Sequence, residues 1–182
     1  MAASDYFIRP VTQDDVPFLW EMLYEAFNAP AGDTPLPRDV IYQPDVRKYV
    51  AGWGAPDDLG FVAVDQHSRQ RLGAAWLRLL VGTNGGYGYI DDCTPELTVA
   101  IASDQRGRGV GMRLLTRLFV AARRRYAGIC LSVWWENPAL QLYRRLGFTE
   151  VGERDGSITM KLVWGCRDRS LPSHGRRFTR HN

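Results

Sequence analysis

The chain has 182 residues, of which 45% are apolar and 24% charged, so it can form one globular domain with a buried core. Its net charge of +3 is uneven, because residues 165–182 hold five arginines and one aspartate and carry +4. Residues 1–164 are left at −1, which argues against a basic nucleic-acid-binding domain. We predict a folded domain over residues 1–164 and a disordered, solvated basic tail over residues 165–182.

Several classes of protein are excluded early. The N-terminal segment MAASDYFIRP has neither the basic nor the apolar part of a secretory signal, and no apolar run reaches the roughly 18 residues that span a bilayer. We therefore expect a soluble cytoplasmic protein with no membrane partner. Cys93, Cys130 and Cys166 are widely spaced and form no CxxC pair. This spacing predicts buried reduced thiols, with neither a disulfide framework nor a metal site.

The first half of the chain begins with a short strand, Tyr6–Arg9. Apolar residues then recur every three or four positions over residues 13–27, which predicts a helix, with Thr12 and Asp14–Asp15 as capping and early acidic residues. Three prolines in residues 29–38 predict a loop, and Asp45–Trp53 is predicted as a short helix.

Two strands, Leu59–Asp65 and Arg71–Leu80, are expected to form a hairpin through residues 66–70. The glycine-rich segment that follows, residues 82–89, is too flexible in composition to belong to the core and predicts a substrate-contacting rim. A further strand is predicted at Glu96–Ala102.

The second half of the chain alternates helices and strands. Gly109–Arg125 has helical periodicity, and a buried strand follows at Ile129–Val133. The pair Asn137-Pro138 has the order of an N-cap and a first helical residue, and Gly147 suits the end of that helix. Two final strands, 148–153 and 157–164, complete a mixed sheet with helices on both sides. The predicted helix Gly109–Arg125 has an inward face formed by Met112, Leu115, Leu118, Phe119 and Ala122.

The motif with the clearest chemical meaning is a glycine loop between the predicted strand Glu96–Ala102 and the predicted helix Gly109–Arg125. Three glycines in five residues let the backbone approach a bulky ligand, and free N–H groups at a helix N-terminus favour an anion. The loop is neither a Walker loop nor a dinucleotide GxGxxG motif, because no Gly-Lys-Ser/Thr follows and Met112 breaks the spacing. A tight turn that needs glycine only for packing stays an alternative. The loop reads Gln105-Arg106-Gly107-Arg108-Gly109-Val110-Gly111.

About thirty residues later comes Asn137-Pro138-Ala139, followed by Leu142-Tyr143 and Gly147-Phe148. With the glycine loop and the order of elements over residues 6–164, this pattern resembles the GNAT superfamily of acetyl-CoA-dependent N-acetyltransferases. The resemblance implies a mixed, mostly antiparallel α/β fold in which two middle strands splay apart and hold acetyl-CoA in a V-shaped gap.

Residue by residue, the resemblance implies a cofactor site on the strand and the loop. The backbone of Val99, Ala100 and Ile101 would pair with the pantetheine arm, and Asn137 would contact the cofactor beside its helix. Tyr143 matches the tyrosine that reprotonates the leaving thiolate. The pyrophosphate would be held around Arg106, Gly107, Arg108, Gly109, Val110, Gly111 and Met112.

An amine substrate must lose a proton before it attacks, because an alkyl ammonium has a pKa of roughly 10. Glu96 is the candidate base, acting through water, because it begins an otherwise apolar strand and shares a face with Thr98 and Ala100. A solvated glutamate at the strand end is the alternative. A backbone N–H near Ala100 would stabilise the oxyanion, and Tyr143 would supply the proton to the thiolate, unless its ring serves packing alone.

Other features leave alternatives open. Trp134 and Trp135 wall a substrate pocket or pack into the core, and Tyr87, Tyr89, Asp91 and Asp92 draw a cationic amine or belong to a solvated loop. The leading function is acetyl transfer to a primary amine of a small molecule or peptide. A noncatalytic acyl-CoA-binding or regulatory module is the alternative, and nucleic-acid binding is disfavoured. The acceptor amine, set by loops around residues 29–54 and 82–92, and the oligomeric state, a homodimer included, stay open.

Overall fold

The computed structural model describes residues 5–27 and 35–164, so the predicted tail at 165–182 and part of the predicted loop at 29–38 lie outside it. One sheet contains seven strands in the order β1-β2-β3-β4-β5-β7-β6. The strands are β1 Tyr6–Pro10, β2 Leu59–Asp65, β3 Arg71–Arg78, β4 Glu96–Ile101, β5 Gly128–Trp134, β6 Thr149–Arg154 and β7 Ser157–Val163; the helices are α1 Val16–Phe27, α2 Pro44–Arg47, α3 Val110–Ala122 and α4 Ala139–Arg145.

All neighbouring strands are antiparallel except β4 and β5, which confirms the predicted mixed, mostly antiparallel sheet. Helices cover both faces, as predicted. Leu97 of β4 belongs to the apolar cluster under α3 and α4, whereas Ala100 belongs to the cluster under α1 and α2. The two-residue alternation of the strand therefore separates the two halves of the core.

The middle of the sheet opens between β4 and β5. These strands share one registered pair, Glu96 with Cys130, and the Cys130 N–H donates to the Pro95 carbonyl at 3.0 Å. On the other edge of β4, the Ala102 N–H donates to Leu72 of β3. Because main-chain groups alternate between the two edges of a strand, those of Val99 and Ile101 face the opening. The splayed strands are therefore confirmed.

Two predictions for the segment between α1 and β2 were wrong. The predicted helix 45–53 ends at Arg47 and continues as turns to Gly52. The Arg78 guanidinium donates to the carbonyls of Lys48 and Ala51, at 2.9 and 2.6 Å, and Gly52, with φ of +69°, ends these turns in the left-handed region. Arg38, predicted to lie in the loop, begins a short 3-10 helix, Arg38–Tyr42.

The inward face of α3 also differs at one position. Met112 is 41% exposed, and Val110 and Leu114 are buried instead. The helix begins at Val110, after Gly109 in the left-handed region, and Val110 is turned toward the core. Met112 lies two residues after the buried Val110, about 200° around the helix, and therefore faces outward.

Of the predicted buried thiols, Cys130 is buried and Cys93 is exposed, while Cys166 lies outside the described chain. Within residues 5–27 and 35–164, no cluster of three histidine, cysteine or acidic side chains is placed to hold a metal ion. The helices of that same part of the chain are all too short or too polar to cross a membrane.

Asp15, predicted as a capping and early acidic residue of the first helix, lies in its first turn and forms a capping box with Thr12, and it is also a fully buried ion-pair centre. Arg9 of β1 and Arg71 of β3 each approach its carboxylate to 2.6 Å, and the Thr12 N–H donates to it at 2.9 Å. Burial would raise the pKa of Asp15, but these hydrogen bonds outweigh burial and hold the pKa well below its ordinary value. The carboxylate ties the start of α1 to two strands.

Candidate active site

The glycine loop before α3 presents a row of free backbone donors. Gly107 and Gly109 both have φ of +76°, a conformation that favours glycine. Among the described residues, no backbone or side-chain acceptor takes the N–H groups from Gly107 to Met112, and the first bond of the turn is from Arg113 to Gly109. These N–H groups lie at the N-terminus of a 13-residue helix, so they can bind an anion.

The two arginines of the loop are already engaged. Arg106 pairs with Glu25 of α1 at 2.8 Å and donates to the Ile101 carbonyl at 3.3 Å. Arg108 donates to Gln105. The loop therefore offers an anion its backbone more directly than its side chains. The partner Glu25 was not identified from the sequence, because it lies on a distant helix.

Glu96 lies at the point where β4 and β5 part, and it is 4% exposed, so the alternative of a solvated strand end is wrong. The hydroxyl of Tyr49 and the N–H of Gly88 both donate to Oε1, each at 2.8 Å. The other oxygen, Oε2, is buried and has no hydrogen-bond partner in the described chain. One oxygen is thus fixed by two donors, whereas the other accepts no hydrogen bond from the described chain.

Burial raises the pKa of Glu96 to about 7, although the hydrogen bonds from Tyr49 and Gly88 and the charge of Lys48 lower it. The carboxyl therefore gains and loses a proton near neutral pH. That is the range in which a general base is most effective.

Part of the glycine segment, residues 82–89, packs against this carboxyl. A Cβ on Gly86 would lie 2.1 Å from Glu96 Oε2, and one on Gly88 would lie 2.7 Å from the Leu131 carbonyl carbon. The middle of the segment is thus built into the site, and the prediction that it stays outside the core was wrong there. The glycines are needed for close approach, whereas the sequence suggested flexibility.

Tyr49, which the sequence did not single out, connects the glycine segment to Glu96. Its hydroxyl accepts the Tyr87 N–H at 2.7 Å while donating to the carboxylate. Its buried ring contacts Phe27 and Tyr87, with centroid distances of 5.8 and 6.4 Å. Tyr87 is half exposed and forms the aromatic edge of the site.

The acidic residues predicted at the rim already have partners. Asp91 pairs with Lys161 at 3.3 Å, and Asp92 accepts the Tyr89 hydroxyl at 2.9 Å. Asp91 is therefore ion-paired and Asp92 is hydrogen-bonded to a neutral donor, and the attraction of a cationic amine to them stays a prediction.

Tyr143 of α4 is buried in the apolar cluster under α3 and α4, with its ring edge against Phe148 at 5.7 Å. Burial raises the pKa of Tyr143 to about 12, so the hydroxyl is protonated at neutral pH. That hydroxyl has no hydrogen-bond partner among residues 5–27 and 35–164. Because Tyr49, the partner of Glu96, belongs to the opposite cluster, the acid and base candidates lie on opposite faces of the sheet.

Asn137 caps α4, since its Oδ1 accepts the Ala139 N–H at 2.9 Å. The helix begins at Ala139, one residue later than the predicted Pro138. At the end of β5, Trp134 and Trp135 are 48% and 59% exposed, so neither packs into the core and both indoles are accessible.

Comparisons with known proteins agree with this architecture. A family model described as an acetyltransferase (GNAT) domain matches residues 49–150. None of the curated proteins matches the chain significantly.

Solved structures share the fold at low identity. The GNAT domain of S. lividans PAT is 18% identical, with a TM-score of 0.60 over 86% of this chain and 89% of that one. The PaiA N-acetyltransferase of Thermoplasma acidophilum, in complex with coenzyme A, is 16% identical, with a TM-score of 0.65 over 87% and 99%. A ribosomal-protein-alanine N-acetyltransferase from Brucella melitensis is 24% identical, with a TM-score of 0.56 over 87% and 99%.

Proposed function

This chain belongs to the GNAT family of acetyltransferases, and from that premise we propose that it transfers the acetyl group of acetyl-CoA to a primary amine in a ternary complex. The observation that carries the proposal is the buried carboxyl of Glu96. It lies where the central strands part, and it keeps one oxygen free of hydrogen-bond partners in the described chain.

The opening and the glycine loop fit acetyl-CoA. The gap-facing main chain of Val99 and Ile101, on either side of Ala100, would pair with the pantetheine amides. The N–H groups of the glycine loop would hold the pyrophosphate, and Asn137 would border it from the start of α4. Acetyl-CoA, once bound, supplies an activated thioester. The loop residues assigned to it are Arg106, Gly107, Arg108, Gly109, Val110, Gly111 and Met112.

Glu96 is the proposed general base. An alkyl ammonium with a pKa of roughly 10 loses its proton poorly to an ordinary carboxylate. The raised pKa of Glu96, about 7, narrows that difference while leaving a substantial ionised fraction at neutral pH. Its Oε2 would take the proton, through a water, as the amine nitrogen attacks the thioester carbon.

The oxyanion formed by that attack would be stabilised by a gap-facing N–H of Val99 or Ile101, which the strand holds in place. Tyr143 would donate its hydroxyl proton to the departing thiolate from the opposite face. Its raised pKa keeps the hydroxyl protonated at every pH near neutrality. The accessible indoles of Trp134 and Trp135 would line the path of the acceptor.

A thiol-release assay with acetyl-CoA and a panel of small-molecule and peptide amines tests the function, with the acetylated product identified by mass spectrometry. We expect coenzyme A and acetylated amine in equal amounts for at least one class of acceptor. Binding of acetyl-CoA with no release for any amine would instead support a noncatalytic acyl-CoA-binding module. A cytoplasmic location and a homodimer stay predictions, checked by fractionation and by light scattering.

A further inference from the structure

We propose that Tyr49 is a positioning residue for acetyl transfer, because its hydroxyl fixes Oε1 of Glu96 and thereby makes Oε2 the oxygen that exchanges the proton. The inference rests on the proposed role of Glu96 as the base. It adds a residue from the α2 region to a site otherwise built from the glycine segment, β4, β5 and the helices that follow them.

The direction of the hydrogen bonds supports this role. The Tyr49 hydroxyl accepts the N–H of Tyr87 at 2.7 Å, and its single proton is directed to Glu96 Oε1 at 2.8 Å. A carboxylate can only accept, so the tyrosine must be the donor when Glu96 is ionised.

The two oxygens of Glu96 are therefore not equivalent. Oε1 receives donors from both Tyr49 and Gly88, whereas Oε2 receives none from the described chain. A proton on Oε1 would point at two donor hydrogens, whereas a proton on Oε2 meets none. The carboxyl thus gains and loses its proton at Oε2.

Tyr49 is itself held in place, as a positioning residue must be. Its carbonyl accepts the indole N–H of Trp76 at 2.9 Å, and both residues are buried. Its ring packs edge-on against Phe27 at a centroid distance of 5.8 Å. The hydroxyl therefore has little freedom to leave the carboxylate.

Other titratable groups near Glu96 do not duplicate this contact. Lys48 is the cation that lowers the pKa of Glu96, but its ammonium donates to the Gly85 carbonyl at 2.7 Å and to Asp45 at 3.1 Å. Cys130, the strand partner of Glu96, directs its thiol to the carbonyls of Thr94 and Pro95. Within the described chain, Tyr49 supplies the side-chain hydrogen bond to the carboxylate.

The test is Tyr49→Phe, which removes one hydroxyl and keeps the ring. Loss of a donor to the ionised form should raise the pKa of Glu96, so we expect the acidic limb of kcat/KM to move up by about one pH unit. Turnover should fall near neutral pH and approach the wild-type value at high pH, while acetyl-CoA affinity stays unchanged. A ¹³C NMR titration of the Glu96 carboxyl should show the same shift without any turnover.

Tyr24→Phe is the matched control. Tyr24 is a buried tyrosine of the same apolar cluster, and its hydroxyl donates to the Leu36 carbonyl at 2.8 Å. Its removal should lower stability by a similar amount and leave the acidic limb in place. If Tyr49→Phe does not fold, 3-fluorotyrosine at position 49 replaces it. This residue donates more strongly, so the limb should then move to lower pH.

The two proposals fail in distinguishable ways. If Glu96→Gln leaves the pH profile unchanged, Glu96 is not the base and the proposed mechanism is wrong. If Glu96→Gln changes the profile but Tyr49→Phe moves neither the acidic limb nor the NMR titration, Tyr49 has no positioning role. In a Glu96→Gln background, the further change Tyr49→Phe should not alter the pH profile.

Discussion

Glu96 and Cys130 face each other as the one registered pair between β4 and β5 in the described chain. Glu96, the candidate base, is thus fixed at the last position where β4 and β5 are paired, and the two strands separate directly after it. Cys130 completes this anchor, because its N–H holds the Pro95 carbonyl and its thiol is buried against the same turn. Burial raises the pKa of that thiol far above neutrality, which makes it a packing group rather than a nucleophile.

Glu96→Gln should reduce kcat/KM near neutral pH by roughly 10²-fold and remove the limb that titrates near pH 7. Activity should recover toward pH 10, where the amine loses its proton unaided. The measurement is a pH profile of coenzyme A release. Glu153→Gln, an exposed change on β6, serves as the control and should reproduce the wild-type profile.

The pH dependence of folding stability is a second measure of the pKa of the Glu96 carboxyl. The folded pKa of about 7 exceeds the ordinary value of 4.5, so the folded state holds the proton more tightly. The free energy of unfolding should therefore fall by about 3 kcal/mol as pH rises from 4.5 to 7. In urea unfolding, the free energy of unfolding of Glu96→Gln should not show this fall between pH 4.5 and 7. The same pH dependence in the wild type and in Glu96→Gln would contradict the burial of an ionisable group here.

Tyr143→Phe should lower kcat by about 10- to 100-fold with little change in acetyl-CoA affinity, because the buried hydroxyl acts only when the thiolate leaves. Stopped-flow turnover and calorimetric binding measure the two quantities. Tyr126→Phe removes a hydroxyl bound to the Asp57 carbonyl, away from the opening, and should keep full turnover. Equal turnover for both variants would reduce Tyr143 to a packing role.

Gly86→Ala should impair turnover more than stability. Its Cβ would lie 2.1 Å from Glu96 Oε2 and 2.5 Å from the Tyr49 hydroxyl, so the carboxyl must move from its position. We expect at least a tenfold loss of kcat with acetyl-CoA affinity retained. Gly152→Ala has its nearest contact at 3.9 Å and should have little effect on either quantity.

Local patterns were sufficient to predict the order of elements and the glycine loop before α3. Helical periodicity, the glycine loop and the Asn137 cap all depend on neighbours within a few residues. The position of Glu96 on β4 also followed from two-residue alternation. These features are set by short-range geometry, which a sequence records directly.

The environment of Glu96 did not follow from the sequence, because it depends on contacts between distant segments. Tyr49 is 47 residues from Glu96 in the chain, and nothing in its neighbourhood indicates a hydroxyl aimed at a carboxylate. Glycines such as Gly86 suggested a mobile loop because glycine permits both flexibility and close packing. These two roles of a glycine can be told apart only when the groups that face it in the folded protein are known.

Gly109→Ala tests the anion-binding loop. A residue with a Cβ is disfavoured at φ of +76°, so the substitution should shift the loop, cost about 1 kcal/mol of stability and weaken acetyl-CoA binding. Gly52→Ala is matched, because Gly52 has φ of +69° and equally open surroundings. It should lose similar stability and bind acetyl-CoA normally. Equal affinities in calorimetry would contradict the assignment of the loop.

Asp15→Asn should destabilise the fold by about 3 kcal/mol, because two guanidinium groups lose the carboxylate that holds them. The estimate is at the low end for a buried pair, since Arg9 and Arg71 are each about a third exposed. Asp14→Asn, its exposed neighbour, should change stability little. The lowered pKa of Asp15 means that its contribution is complete above the ordinary carboxyl range and is lost as pH falls through the folded value. Acid unfolding followed by circular dichroism should therefore show a transition that Asp15→Asn weakens and Asp14→Asn preserves.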